Sequence, residues 1–180
     1  MAHEVAAALD APWDVFVVRK LGAPGQEELA MGAIASGGEP LLNRQVIEAL
    51  GIPRSAIERV VEQERRELQR RELLYRGERP CPDVENKAVI VVDDGLATGA
   101  SMRAAVEALR ARRPAKLVLA VPVAAPATCE QLEPLVDLAV CAETPAAFVA
   151  VGQWYEDFGQ ISDREVRELL EQSSAIRAER

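Results

Sequence analysis

The stretch VIVVDDGLATGASM, Val89 to Met102, decides how the rest of the chain is read. Val89, Ile90, Val91 and Val92 make an uninterrupted β-branched run, the pattern of a strand buried on both faces in a parallel sheet. Asp93 and Asp94 end it. Unpaired carboxylates beside a buried strand would be costly, which places them at its carboxyl end, where open α/β sheets bind ligands. Gly95 and Gly99 permit close or unusual backbone geometry, and Thr98 and Ser101 bring hydroxyls to a helix predicted from Met102 to Leu109. Free N–H groups at a helix start favour an anion, by up to about 2 kcal/mol in partly buried geometry. A ligand-free alternative accounts for Asp94, Gly95 and Thr98 as an Asx-rich turn and an N-cap between a strand and a helix.

Two phosphate fingerprints are excluded by inspection: there is no G-x-x-x-x-G-K-[ST] loop and no G-x-G-x-x-G turn. The stretch resembles the phosphoribosyl-diphosphate (PRPP) motif of type I phosphoribosyltransferases, an aliphatic strand, two acidic residues, a short spacer and then T-G-x-[ST]. The resemblance implies that Asp93 and Asp94 are the catalytic acidic pair on the ribose hydroxyls. It also implies that Ala97, Thr98, Gly99, Ala100 and Ser101 wrap the 5′-phosphate. Mg²⁺ is the implied cofactor, reached through ribose and diphosphate oxygens, with no direct protein ligand.

The composition bounds the class. A chain of 180 residues with 49% hydrophobic content suits one globular domain, 1–180. A net charge of −8 disfavours a general nucleic-acid or anionic-membrane surface. Cys81, Cys129 and Cys141 lie far apart without a C-x-x-C pair, so free thiols in a reducing cytoplasm are expected, and neither a zinc site nor a disulfide framework. No apolar run approaches the roughly 18 residues of a membrane helix, and the first residues lack a basic leader.

Along the chain, Ala2 to Leu9 reads as a helix, and Trp13 to Val18 as a buried strand that delivers Arg19 and Lys20 at its carboxyl end. Two cations there would suit a diphosphate, Arg by its planar fork and Lys as a point charge, whereas alone they would read as a solvated strand end. An Arg-Lys pair at this place also resembles the family pattern, which assigns both to PRPP and leads into a mobile hood. The following glycine- and proline-framed segment reads as a loop or hairpin, with a short strand at Leu29 to Ala35, that would serve either as a water-excluding flap or as an ordinary β-excursion. The pattern from Asp14 to Gly38, with the helical excursion after it, narrows the likeness to a subfamily of uncharacterised phosphoribosyltransferase-like proteins, a resemblance that runs nearly the whole chain.

A helical excursion occupies about 43–76. Asn43 caps a short helix through Leu50. A longer one starts at a Ser55/Glu58 capping box and carries an apolar stripe of Ile57, Val60, Val61 and Leu68. Glu62 with Arg66 and Glu67 with Arg71 are i, i+4 pairs, so its arginines read as a solvated face. Beyond the central stretch, a strand at Leu117 to Val123, a helix at Ala127 to Leu135 and a strand at Leu138 to Cys141 give β-α-β order. The fold class is α/β: a parallel-sheet core like that of type I phosphoribosyltransferases, with helices on both faces, the helical insertion and a small hood. The tail, about 143–172, concentrates Phe148, Trp154, Tyr155 and Phe158 in a chain with only 4% aromatics. The resemblance makes it the acceptor side, with Trp154 and Asp157 as candidate contacts; the competing role is to pin the terminal helix to the core. Ser162 with Glu165 forms a capping box for that helix.

The pattern is broken in one respect. The family places a first core strand and a glycine-containing diphosphate loop before a helix like Ala2 to Leu9, and this chain has neither. A start downstream of the full domain is the preferred expectation; another strand or partner filling the gap is the alternative. The implied function is an Mg²⁺-dependent transfer of phosphoribosyl from PRPP to a nitrogenous-base acceptor with release of diphosphate. The alternative is a non-catalytic PRPP- or nucleotide-binding regulatory module, or an inactive truncated form. The expected partner is a small phosphoribosyl substrate, and the family leaves room for a homodimer.

Overall fold

The computed structural model describes the backbone of residues 1–77 and 79–178, and their side chains apart from Glu28 and residues 172–178. Helix α1 is Ala2–Leu9, as the sequence predicts, and Asp10 closes it in the left-handed region at φ 50°. The chain then departs from expectation. Trp13 to Val17 is extended but joins no ladder, and strand β1 is Val18–Ala23, so Arg19 and Lys20 lie inside a strand instead of at its end. The reason is pairing: β1 is one arm of an antiparallel hairpin with β2, Gln26–Ala35, in which Arg19 faces Ile34 and Lys20 faces Ala33. β2 is thus ten residues long, whereas the sequence predicts a short strand from Leu29. Leu41–Leu42, β3, adds a third antiparallel strand.

The extended residues before the hairpin find other partners. The Val17 N–H donates to the Ser36 hydroxyl, and the Ser36 N–H donates to the Val17 carbonyl. Arg76, whose side chain is 4% exposed, donates to the Val15 carbonyl and pairs with Asp14 and Glu72, both at 3.2 Å. A buried arginine is tolerable only with such a set of acceptors.

Asn43 caps α2, Arg44–Ala49, accepting from the Val46 N–H at 3.2 Å. The long helix α3 is Arg54–Arg76. Its start differs from the predicted capping box: Pro53 is the N-cap and no side chain caps it, because Glu58 pairs instead with Arg54 at 2.7 Å. The predicted stripe is correct, with Leu68 buried and Ile57, Val60 and Val61 packed beside it against Val17, Leu21, Met31 and Ile34 of the hairpin side. Both expected i, i+4 pairs form, Glu62 with Arg66 at 2.8 Å and Glu67 with Arg71 at 3.1 Å.

The second sheet holds the central stretch. Strands β4, Ala88–Val92, β5, Lys116–Val123, and β6, Leu138–Glu143, are parallel and lie in that order. Between them run α4, Ala100–Arg110, and α5, Pro126–Leu132, the latter continued by one 3₁₀ turn. Leu117, Leu119 and Val121 alternate inward from β5 and pack with Met102, Val106 and Leu109 of α4 and Leu132 of α5. The expectation that Val89 to Val92 is buried on both faces is corrected. Among the described strands β4 is an edge, and Ile90, in line with Val118 and Leu138 across the sheet, is 40% exposed.

The expectation of free thiols is also corrected. Cys129 on α5 and Cys141 on β6 form a disulfide, brought together because the β-α-β crossover folds α5 back over β6; Cys81 alone is free. Arg112, just past α4, ties the two sheets together by donating to the Ser36 carbonyl and the Cys81 sulfur while lying over the Phe16 ring. The terminal helix α6, Asp163–Ala178, starts at the predicted box: the Ser162 N–H and hydroxyl both donate to Glu165. Leu170 anchors it, buried to 2%, and the Tyr75 hydroxyl of α3 donates to Asp163 at 2.6 Å. No helix among the described residues is long and apolar enough to cross a membrane.

Candidate functional site

The site lies at the carboxyl end of β4 and is built by a loop that returns to the core in its middle. Asp93 and Asp94 leave the strand. Leu96 then plunges back, 2% exposed, and forms a one-residue parallel bridge to Ala124 just beyond β5. The Leu96 N–H donates to the Val123 carbonyl at 3.0 Å and the Leu96 carbonyl accepts from the Ala125 N–H at 2.8 Å. The apolar side chain between the acidic pair and the T-G-x-S run is therefore an anchor dividing the loop into two exposed arches.

Each arch is fixed from outside by a hydroxyl. Tyr155 donates to the main-chain carbonyl of Asp94, and Thr128 of α5 donates to that of Ala97 at 2.6 Å. The carbonyls of Asp94, Leu96, Ala97 and Gly99 are all engaged, the last by the Arg103 N–H. Among the described residues nothing accepts from the N–H groups of Thr98, Gly99, Ala100 and Ser101. Gly99 is the N-cap of α4, in the left-handed region at φ 69°, and no side chain caps the helix. Thr98 does not fill the capping role that a ligand-free reading gives it. The result is a group of donors at the positive end of an eleven-residue helix, which is the chemistry of a phosphate cradle.

Glycine is required at both bends. A Cβ on Gly95 would stand 2.8 Å from Val151 Cγ1 and 2.9 Å from the Val123 carbonyl oxygen, and one on Gly99 would stand 2.6 Å from Thr128 Cγ2. The close approach at Gly95 brings the tail onto the loop.

The acidic pair has a distinct electrostatic character. The Asp94 N–H donates to Asp93 Oδ1 at 3.0 Å, and among the described residues no cation pairs with either carboxylate. Asp93 is exposed at the surface, yet the protein around its carboxyl partly desolvates the charged form and raises its pKa; the hydrogen bond from the Asp94 N–H opposes this, and the adjacent Asp94 charge adds to it. Tyr155 is likewise raised, by burial first and then by the Asp94 and Asp93 charges beside it, so its hydroxyl remains a donor at neutral pH. Two unpaired carboxylates, one carrying a desolvation cost, suit hydrogen-bond donors such as sugar hydroxyls. Among the described residues no cluster of three His, Cys, Asp or Glu side chains could hold a metal.

The other candidates lie elsewhere. Arg19 pairs with Glu64 of α3 at 2.7 Å, both largely buried, in a groove lined by charged α3 residues such as Arg59 and Glu62. Lys20, its neighbour on β1, is exposed. In the tail, Trp154 is 46% exposed within a 3₁₀ turn, and Asp157 accepts from the Gly159 N–H at 3.0 Å in a local turn. The tail residues that meet the loop are Val151, beside Gly95, and Tyr155, which in the sequence is only one aromatic among four. Thr128 and Leu96 carry no sequence signal either. A small polar residue on a helix and a leucine within a polar run signal nothing until the crossover brings them together.

Comparison with known proteins follows the same site. Residues 1–144 match the family model described as a phosphoribosyl transferase domain. The chain is 42% identical over 173 residues to two Mycobacterium tuberculosis proteins, "Putative phosphoribosyl transferase Rv0571c" of strain H37Rv and its counterpart MT0597 of strain CDC 1551. The match covers 96% of this chain and 39% of each relative, so the chain spans about two fifths of their length. The crystal structure of TT1426 from Thermus thermophilus superposes with a TM-score of 0.80 at 39% identity, over 94% of this chain and 80% of that one.

Proposed function

Because the chain belongs to the family of phosphoribosyl transferase domains, we propose that it binds PRPP with Mg²⁺ and transfers the phosphoribosyl group to a nitrogenous base, releasing diphosphate. The observation that carries this reading is the loop from Asp93 to Ser101, whose carbonyls are tied back into the protein while the N–H groups of Thr98 to Ser101 have no acceptor among the described residues. In the reaction the sugar C1–oxygen bond breaks, diphosphate leaves with the electron pair, the acceptor nitrogen bonds to C1, and its proton passes to solvent. The protein stabilises an oxocarbenium-like sugar by placement and charge, with no covalent nucleophile. Asp93 and Asp94 would hold the ribose hydroxyls near that developing positive charge. Ala97 to Ser101 would hold the 5′-phosphate. The unpaired, oxygen-only acidic pair fits a site in which Mg²⁺ is shared with the substrate's own oxygens, where it would offset the charge of the departing diphosphate.

A second reading has one observation in its favour. Arg19, a candidate for the diphosphate, pairs with Glu64, an arrangement that would leave the diphosphate without that cation. A module that binds PRPP without turnover would look like this. Calorimetry with PRPP and Mg²⁺, followed by diphosphate release across a panel of bases, separates the two. Binding with turnover supports the transferase, binding without turnover supports the module, and no PRPP binding overturns both.

A further inference from the structure

We propose that Tyr155 is a positioning residue for the acidic pair: through its hydroxyl it holds the Asp94–Gly95 peptide, and so couples the aromatic tail to the ribose end of the site. The proposal rests on the PRPP reading above. Asp94 precedes a glycine, and Gly95 places no side-chain restriction on the peptide that joins them. That peptide's carbonyl is the one Tyr155 takes. Without the hydroxyl, the first arch would keep the Leu96 anchor beyond it, Val151 beside Gly95 and the Asp94 N–H bond to Asp93, none of which holds the Asp94 carbonyl. Asp94 would then keep its charge but lose its aim.

Tyr155 is itself held in place. Its ring meets Phe158 with centroids 5.2 Å apart, and Phe158 lies against Gly152, where a Cβ would stand 2.8 Å from the ring. Gly152 follows Val151, the residue that contacts Gly95. The segment from Val151 to Phe158 thus touches the loop at two consecutive residues, Asp94 by a hydrogen bond and Gly95 by packing. The raised pKa of the phenol, with both carboxylate charges among its causes, agrees with this placement.

The test is Tyr155→Phe, which keeps the ring and deletes the hydroxyl, with Phe158→Leu as a packing control. In Tyr155→Phe the affinity for PRPP with Mg²⁺ should fall about tenfold, the equivalent of one lost hydrogen bond, while the thermal midpoint barely changes. Amide exchange of Gly95 and Leu96 in the ligand-free protein should also quicken. In Phe158→Leu the midpoint should fall with a smaller loss of affinity. Unchanged PRPP affinity in Tyr155→Phe, or an equal loss in both variants, would overturn the positioning role. Should the wild-type protein bind no PRPP, the functional reading falls, and the exchange rates alone decide whether Tyr155 holds the loop: unchanged rates overturn that too.

Discussion

Replacing Gly99 by alanine tests whether the loop ahead of α4 is clamped by α5. Two costs are separable. At φ 69° an alanine enters the left-handed region, which costs about 1–2 kcal/mol. Its Cβ would also stand 2.6 Å from Thr128 Cγ2 and 3.3 Å from Leu132 Cδ1, and Leu132 is 1% exposed with no room to retreat, so overpacking adds about 1–3 kcal/mol. The loss of unfolded-state freedom returns about 0.4–1 kcal/mol, leaving a net destabilisation of about 1–4.5 kcal/mol. Gly51 supplies the control, since it has φ 59° and nothing lies within 4 Å of where its methyl would stand. Gly51→Ala should therefore show the backbone cost alone. Urea unfolding of the two variants, compared at constant slope, reads the difference as the steric cost of pressing on Thr128. Equal midpoints for the two would refute the reasoning: Thr128 would then yield freely, and its hydrogen bond to the Ala97 carbonyl could not be what fixes the second arch.

Three further outcomes follow from the packing and charge. The disulfide closes a loop with a sequence separation of 12, which restricts the unfolded chain by about 3 kcal/mol in the loop-entropy model; the Cys129→Ser/Cys141→Ser double variant should unfold at correspondingly lower urea, and the oxidised wild type should lose the same increment on reduction. Arg76→Met leaves Asp14 and the Val15 carbonyl facing a buried apolar side chain, and a loss of about 3–5 kcal/mol is expected in the same assay. Asp93 has a folded-state pKa above its ordinary 3.8, so the folded protein holds that proton more tightly than the unfolded chain. The resulting stability is fully present below the unfolded pKa and is lost as pH rises through the folded pKa. Asp93→Asn should accordingly raise the neutral-pH thermal midpoint and flatten its decline above about pH 4, while PRPP affinity falls; a lower midpoint at neutral pH would contradict the desolvation argument.

What can be read in the sequence depends on whether the signal is local. The β4–α4 unit, the α3 stripe and the caps at Asn43 and Ser162 are legible because periodicity and capping are written within a few residues. Asp14 to Lys20 misleads because a β-branched run followed by two cations is equally good grammar for a hairpin arm, and Ser36 and Ala35, some twenty residues on, decide between them. The Ser55/Glu58 box fails where two helix starts lie two residues apart and Arg54 claims the glutamate. The disulfide is invisible because its cysteines meet only through the crossover of α5 over β6. At the site, the acidic pair and the T-G-x-S run are read directly, whereas Thr128 and Tyr155 are not: their roles consist of hydrogen bonds to main-chain carbonyls, which place no demand on the identity of the loop residue they hold.

This division has a physical consequence for how the site is specified. The stretch Val89 to Met102 supplies the chemistry, two carboxylates and a run of free amides, but the conformation that aims them is supplied by Val123, Ala125, Thr128, Val151 and Tyr155. Backbone carbonyls tied to distant elements orient the intervening N–H groups the other way, so the loop is shaped before any ligand arrives and little ordering entropy remains to be lost on binding. The same arrangement sets Asp93 beside Asp94 and raises the Asp93 pKa, by desolvation first and then by the neighbouring charge. A fold under selection for stability alone would pair or replace that carboxylate, as happens at Asp14, Asp83 and Asp137, each of which has a cationic partner. Among the described residues the acidic couple of Asp93 and Asp94 thus stands without a cation, at the end of the strand from which the loop departs.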